Sequence, residues 1–308
     1  MLINKFPFNL ITILGPTATG KTRVGVQVAS VLGGEIISAD SRQVYRGMNL
    51  GTGKDLEEFG EIPYHLIDIM EAGKEFSVFD YQRSFFQVFD RIRARGKMPI
   101  LVGGTGLYLE SVLRGYQFRE VPESEELREE LSNLTKEELK EQLKKINPAL
   151  HNTTDLTDPQ RLIRAIEIAS FSTAKQPPGG KRPDLVPIVF GIKWERDILR
   201  QRISTRLKER LNQGMIEEVK KLHEAGLSFD QLDYYGLEYR YVVLYLKGKL
   251  NRNDMVQKLN SAIHRFAKRQ ETWFRRMERN GITIRWVAGD RAPEDRILKM
   301  VRELGTAS

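Results

Sequence analysis

The 308-residue chain contains no cysteine. That removes disulfide frameworks and thiolate metal sites together, so any metal has to be held by oxygen ligands or by the substrate. A run of the ~18 consecutive apolar residues needed to span a membrane is also missing. The most apolar start, Phe6 to Leu14, is interrupted by Pro7, Asn9 and Thr12; it reads as a first strand and not as a signal peptide, and a cytoplasmic location is expected. Histidine is scarce: His65, His151, His223 and His264 are scattered without metal-ligand spacing, which argues against zinc or imidazole chemistry. There is no internal repeat and no low-complexity tract. Positive charge has no excess in the first 192 residues, which carry 24 Lys/Arg against 25 Asp/Glu. Residues 193–308 carry 25 against 16 and account for the net charge of +8. An excess confined to one end points to a polyanionic partner, nucleic acid being the commonest, with solvated helix faces as the structural alternative.

What is present fits a folded protein with a real core, at 40% hydrophobic and 29% charged residues. The first hundred residues alternate short apolar runs with helical patterns, the signature of βαβ units and a parallel sheet. Strands are expected at Leu10 to Leu14, Glu35 to Ala39, His65 to Ile69 and Pro99 to Val102. Helices are expected after Gly20, where Val24, Val28, Val31 and Leu32 share a face before Gly33-Gly34, and over Phe79 to Arg95. From Glu120 to Lys145 the chain is dense in Glu, Lys and Leu, and a further helix starts at Asp158-Pro159. Gln176 to Pro183 reads as a linker, Pro187 to Ile192 as a strand rejoining the sheet, and Ile282 to Val287 as a last strand. The expected architecture is an α/β core of P-loop NTPase type, residues 1–113 and 185–308, with an all-helical insert at 114–184.

The segment Gly15-Pro16-Thr17-Ala18-Thr19-Gly20-Lys21-Thr22 satisfies G-x-x-x-x-G-K-[ST] in full, between a strand and a helix. Its glycines let backbone N–H groups curl around phosphate oxygens, Lys21 adds a point charge, and the Thr22 hydroxyl completes a Mg²⁺ shell. Thr17 and Thr19 offer further hydroxyl donors. Asp40, at the end of the second predicted strand, falls on the same edge of a parallel sheet, where open α/β sheets place ligands. It reads as a magnesium-binding aspartate or a general base, with a helix N-cap as the structural alternative. Thr105, in Gly103-Gly-Thr-Gly106, reads as a donor to a leaving oxygen or as a cap. Trp194, Trp273 and Trp286 read as packing residues. Arg265, Lys268, Arg269, Arg275 and Arg276 recur around Phe266, Trp273 and Phe274, which suits a helix with one face in the core and the other on phosphates, or a solvated basic face.

Taken together, GPTATGKT (15–22), EIISADSRQVYRGMNLGTGK (35–54), PYHLIDI (63–69), PILVGGTGLYL (99–109), DPQRLIRAIEI (158–168) and AKRQETWFRR (267–276) resemble the bacterial-type tRNA dimethylallyltransferases, or isopentenyltransferases. The resemblance implies transfer of a dimethylallyl group from dimethylallyl diphosphate to N6 of adenine 37, in the anticodon stem-loop of tRNA, by a monomer. It implies that Lys21 and the amides of residues 17–22 hold the diphosphate, that Thr22 places Mg²⁺, that Asp40 is the base and that Thr105 lies by the leaving oxygen. It further implies tRNA contacts from Asp40, Ser41, Arg42, Gln43 and Thr105, and from Arg128, Gln160, Arg161, Leu162, Ile163 and Arg164. The chain departs from the family at Gly51-Thr-Gly-Lys-Asp55, where GTAKP is usual, and at Gly236-Leu-Glu-Tyr-Arg240, where the family reads IGYKE-like. The rival readings are a P-loop kinase or NTPase and an RNA-binding NTP switch. Absence of cysteine also argues against the zinc-finger extension of eukaryotic relatives.

Overall fold

A computed structural model describes residues 6–118, 121–147, 159–171 and 182–306. It divides the chain into two compact units, Met1–Tyr116 with Arg182–Ser308, and Gln117–Lys181. His151, Asp158 and the linker up to residue 181 lie outside the described residues.

In the larger unit the chain runs through β1 (Leu10–Leu14), α1 (Lys21–Leu32), β2 (Glu35–Ala39), β3 (Tyr64–His65), α2 (Val78–Ala94), β4 (Pro99–Gly103) and α3 (Gly106–Leu113). In the smaller unit it forms α4 (Glu125–Ser132), α5 (Lys136–Ile146) and α6 (Pro159–Ser170). It returns to the larger unit with β5 (Pro187–Lys193), α7 (Arg196–Asn212), α8 (Met215–Glu224), α9 (Phe229–Tyr234), α10 (Leu237–Leu246), α11 (Arg252–Arg279), β6 (Ile284–Ala288) and α12 (Pro293–Thr306). The strands form one parallel sheet in the order β3-β2-β4-β1-β5-β6.

The alternation of β1 explains the layers. Ile11 and Ile13 join Val24 and Val28 of α1 and Ile297, Leu298 and Val301 of α12. Leu10 and Leu14 join Phe85 and Phe89 of α2, Leu109 of α3, and Phe274 and Met277 of α11 on the other face. A strand buried on both faces needs an apolar residue at nearly every position, and each such side chain contributes about 1.5–3 kcal/mol. A third cluster, built on Ile203, Leu207, Val219, Tyr239 and Leu259, joins α7, α8, α10 and α11 to one another.

Register then sets the functional edge. Leu14 pairs with Gly103, and Ala39 pairs with the same Gly103, so Gly15, Asp40 and Gly104 leave three adjacent parallel strands at one level. This is the carboxyl edge at which such sheets bind ligands.

One strand is shorter than its sequence suggests. The short apolar run His65 to Ile69 is expected to be a strand, yet β3 ends at His65, where Leu66 and Asp68 take φ of 62° and 53°. Non-glycine residues adopt that region only when their surroundings hold them there. Here the Asp68 amide donates to Gln43 O at 3.1 Å and the Asp68 carboxylate pairs with buried Lys54.

Candidate active site

The phosphate loop turns through Ala18 (φ 63°) and Gly20 (φ 80°) into the first turn of α1. Its shape is fixed from outside as well as from within. The Thr19 hydroxyl donates to Pro16 O at 2.9 Å, so this hydroxyl is used inside the loop and is not the extra phosphate donor expected from sequence. Lys21 Nζ donates to Pro16 O at 3.3 Å. Arg202 Nε donates to Ala18 O at 2.9 Å and Trp194 Nε1 to Thr19 O at 3.0 Å, with the Arg202 guanidinium 4.3 Å from the centre of the Trp194 ring. Trp194 therefore does more than pack.

Gln270 of α11 is the residue that sequence reasoning missed. Only 7% exposed, it accepts from the Thr17 amide at 2.8 Å and donates to Gly104 O at 2.9 Å. One side-chain amide thereby ties the phosphate loop to the loop after β4, and the Thr17 N–H, expected to face the diphosphate, is held by Gln270. A Cβ at Gly104 would lie 2.6 Å from Gln270 Nε2, so a side chain there would push the amide out of this bridge. A signal was available. Ile263, Ala267, Gln270, Phe274 and Met277 follow one buried helical stripe, and a lone amide in such a stripe needs partners for both of its ends.

Asp40 and Thr105 meet beside this loop. Asp40 Oδ1 accepts from the Arg42 amide at 2.9 Å, an Asx turn that orients the carboxylate. Thr105 precedes α3 but does not cap it with its side chain; its hydroxyl accepts from the Ser41 amide at 3.0 Å and reaches Ser41 Oγ at 3.4 Å. The Thr105 amide donates to Ala39 O at 3.1 Å. Burial pulls the Lys21 ammonium down to about pKa 8, against the opposing pull of Asp40. Arg42 lies over Tyr234, 5.1 Å from the ring centre, and Tyr234 is half exposed. Gln43 is less available than its position suggests. It accepts from Ser38 Oγ at 3.2 Å and donates to Gly53 O at 3.1 Å.

The smaller unit places its predicted residues in two groups. Gln160 and Arg161 are exposed, whereas Leu162 and Ile163 are buried with Leu131, Leu139, Leu143 and Ile166. The helical period turns their side chains into this core, which corrects the expectation that they touch RNA. Arg128 makes a two-pronged contact with Glu167, at 2.8 and 3.1 Å, and Arg164 joins the same carboxylate at 2.9 Å. Glu167 also accepts from the Ser124 amide at 3.1 Å. Burial alone would raise its pKa, but these partners hold it below the usual carboxylate value.

On α11, Phe274 is fully buried, while Phe266 is 38% exposed and lies beneath Arg269 at 5.7 Å. Arg276 lies 5.0 Å from the centre of the Trp273 ring. The basic face therefore carries cations stacked on aromatic rings, a surface suited to phosphates and bases. No helix among the described residues is long and apolar enough to cross a membrane.

Comparison with known proteins agrees with this geometry. The IPP transferase family model matches residues 43–277 and the isopentenyl transferase model residues 8–62. The chain is 61% identical over 285 residues to tRNA dimethylallyltransferase 1 of Geotalea uraniireducens, covering 92% of this chain and 94% of that one. It is 59% identical to tRNA dimethylallyltransferase 2 of Syntrophotalea carbinolica, covering 95% and 98%. Among solved structures, the full-length tRNA isopentenylpyrophosphate transferase of Bacillus halodurans superposes with a TM-score of 0.71 at 34% identity, covering 97% and 96%. A eukaryotic dimethylallyltransferase acting on tRNA shares the fold, with a TM-score of 0.73 at 23% identity over 91% and 73%.

Proposed function

The chain belongs to the IPP transferase family, and from that premise we propose that it transfers a dimethylallyl group from dimethylallyl diphosphate to N6 of adenine 37 in tRNA. The observation that carries this reading is the convergence at one sheet edge of a complete phosphate loop, Asp40 and Thr105.

In the reaction a bond forms between N6 and the allylic C1, the C1–O bond to diphosphate breaks, and N6 gives up a proton. Asp40, oriented by the Arg42 amide, takes that proton. Lys21 and the loop amides from Ala18 to Thr22 stabilise the charge that grows on the departing diphosphate, an interaction stronger in the transition state than before it. Thr105 stands beside Asp40 through Ser41 and donates to the bridging oxygen as the bond breaks. Mg²⁺ would be held by the Thr22 hydroxyl together with the diphosphate oxygens. The donors fit a hard cation, and the described residues contain no cluster of three or more His, Asp or Glu that would hold it independently. When bound, it supplies neutralisation of leaving-group charge.

Adenine cannot react while stacked, so the base leaves the anticodon loop to reach this edge, at a cost of about a few kcal/mol that an unpaired loop base keeps low. Arg42 on Tyr234 offers a stacking platform beside Asp40, and the basic face of α11 follows the phosphate backbone. A monomeric catalyst acting on tRNA in the cytoplasm is part of this proposed reading.

Incubation with undermodified tRNA, Mg²⁺ and either labelled dimethylallyl diphosphate or labelled ATP tests the proposal. Label from the allylic donor is expected on N6 of adenine 37. Phosphate released from ATP, with no modified tRNA, would overturn it.

A further inference from the structure

Gly53 and Asp55, in the loop that follows β2, lie against two arginines of α7. Arg206 donates to Asp55 Oδ2 at 3.1 Å and to Gly53 O at 3.4 Å, and Arg210 reaches the same carboxylate oxygen at 3.3 Å. Gly53 has φ 73°, and a Cβ there would come within 2.6 to 2.7 Å of guanidinium nitrogens from both arginines. Any other residue would push them away. The two departures from the usual family pattern in this loop are thus one arrangement: glycine makes room for the arginines and aspartate pairs with them.

The same arginines line a narrow cavity with Thr17 and Ala18 of the phosphate loop and Glu238 of α10. Arg210 is 7% exposed, and burial, followed by the charge of Arg206, lowers its pKa to about 10. Both arginines also disfavour the charged form of Lys21. The two guanidinium groups repel each other unless an anion is shared between them. Without a donor molecule, the shared anion is Asp55. Its side chain is 45% exposed, against 32% for Arg206 and 9% for Arg210, so the carboxylate is the member of the cluster that exchanges with solvent most readily.

We propose that Asp55 is a built-in counter-anion that holds Arg206 and Arg210 beside the phosphate loop and competes with the diphosphate for them, thereby setting donor affinity and the release of pyrophosphate. This rests on the reading that an allylic diphosphate occupies the loop. A diphosphate carries more charge than one carboxylate and takes over the arginines on binding; on product release Asp55 returns. The loop that carries Asp55 is also joined through Gly53 O to Gln43, three residues from the proposed base.

The sign of the effect separates competition from simple support. If Asp55 only positioned the arginines, its removal would let them scatter and weaken anion binding. If it competes, removal strengthens binding.

The full-length protein and its Asp55→Asn and Glu238→Gln variants can be titrated calorimetrically with inorganic pyrophosphate and Mg²⁺, alongside thermal unfolding and steady-state kinetics at saturating tRNA. Asp55→Asn is expected to bind pyrophosphate about three- to fivefold more tightly, the scale of a half-exposed ion pair. KM for the donor should fall by the same factor while KM for tRNA stays constant. Glu238→Gln should move affinity in the same direction by less, because it faces the arginines without the short ion pairs that Asp55 makes. Equal or weaker pyrophosphate binding by a folded Asp55→Asn overturns the proposal and leaves the donor reading standing. Failure of the unaltered protein to bind pyrophosphate would overturn both. Should Asp55→Asn not fold, weaker binding by Glu238→Gln overturns the proposal in its place.

Discussion

At the phosphate loop the partners come from far along the chain, whereas around Glu167 they come from close by. Gln270 lies 253 residues from Thr17, Arg202 lies 184 from Ala18 and Trp194 lies 175 from Thr19. Arg164 and Arg128, by contrast, are 3 and 39 residues from Glu167, within a unit of its own. The loop's shape is therefore a property of the whole larger unit, and a change in α11 reaches it. The charge cluster of the helical unit belongs to that unit, and damage there should leave the phosphate chemistry intact. Donor-side and RNA-side defects ought to be separable.

The largest expected effect removes the chemistry and leaves both plans in place. Asp40→Ala should reduce kcat for prenyl transfer by about 10²–10⁴-fold, with pyrophosphate and tRNA affinity retained. Rapid-quench assays and filter binding on the same preparation check this, and weakened tRNA binding with normal single-turnover chemistry would contradict the role of base.

Gln270→Leu tests the long-range plan. It leaves the Thr17 amide and Gly104 carbonyl without their partner, at a cost of about 1–3 kcal/mol for each buried group left unsatisfied. The expected outcome is a lower unfolding midpoint and a raised KM for the donor with little change in KM for tRNA. Glu167→Gln tests the local plan in the opposite sense. Removing the buried carboxylate's charge while its arginines, about a third exposed, remain costs about 1–3 kcal/mol, so KM for tRNA should rise while pyrophosphate affinity is kept. Circular dichroism melts of both variants, with the two affinities measured separately, show whether the defects segregate.

The same contrast accounts for what could be read from the sequence. β1, β2 and β4 are legible because each is a short apolar run ending in a loop residue that the sheet edge exposes, and the phosphate loop is legible because its motif lies within eight consecutive residues, although the partners that hold its shape do not. β3 is not, since its apolar run is broken by positive φ at Leu66 and Asp68, the latter held by contacts to Gln43 and Lys54. Gln270 is hidden for the same reason: its partners are set by topology, and sequence shows only an amide in an apolar stripe. Arg128 and Arg164 are named by the resemblance as tRNA contacts; the i,i+3 spacing of Arg164 and Glu167 on α6 is visible in sequence, whereas the attachment of Arg128 requires the packing of α4 against α6 to be known. Leu162 and Ile163 came along with a motif whose period, read strictly, already turns them inward.

The smallest effects are electrostatic: in both regions stability rises with pH, but at pH 7 the charge of Glu167 stabilises the fold and that of Lys21 costs it stability. Glu167 has a folded pKa below the carboxylate value. Its contribution to stability is present above the unfolded pKa of about 4.3 and is lost as pH falls through the folded value. Lys21 also has a lowered folded pKa, brought by burial to about 8, but for a cation this means the charged form is disfavoured by folding. The unfolded chain keeps that proton up to about pH 10.4, so between the two values the unfolded state binds more protons and stability rises with pH. The charged lysine therefore costs the empty protein stability at pH 7, which is tolerable only if an anion uses the charge. It follows that kcat/KM for the donor falls above about pH 8, by up to about tenfold per pH unit, as free enzyme loses the Lys21 proton. Bound diphosphate favours the ammonium, so the limb in kcat should lie at higher pH than the limb in kcat/KM. Measuring both profiles with tRNA saturating decides the point, and coincident limbs would place the titrating group away from the phosphate site.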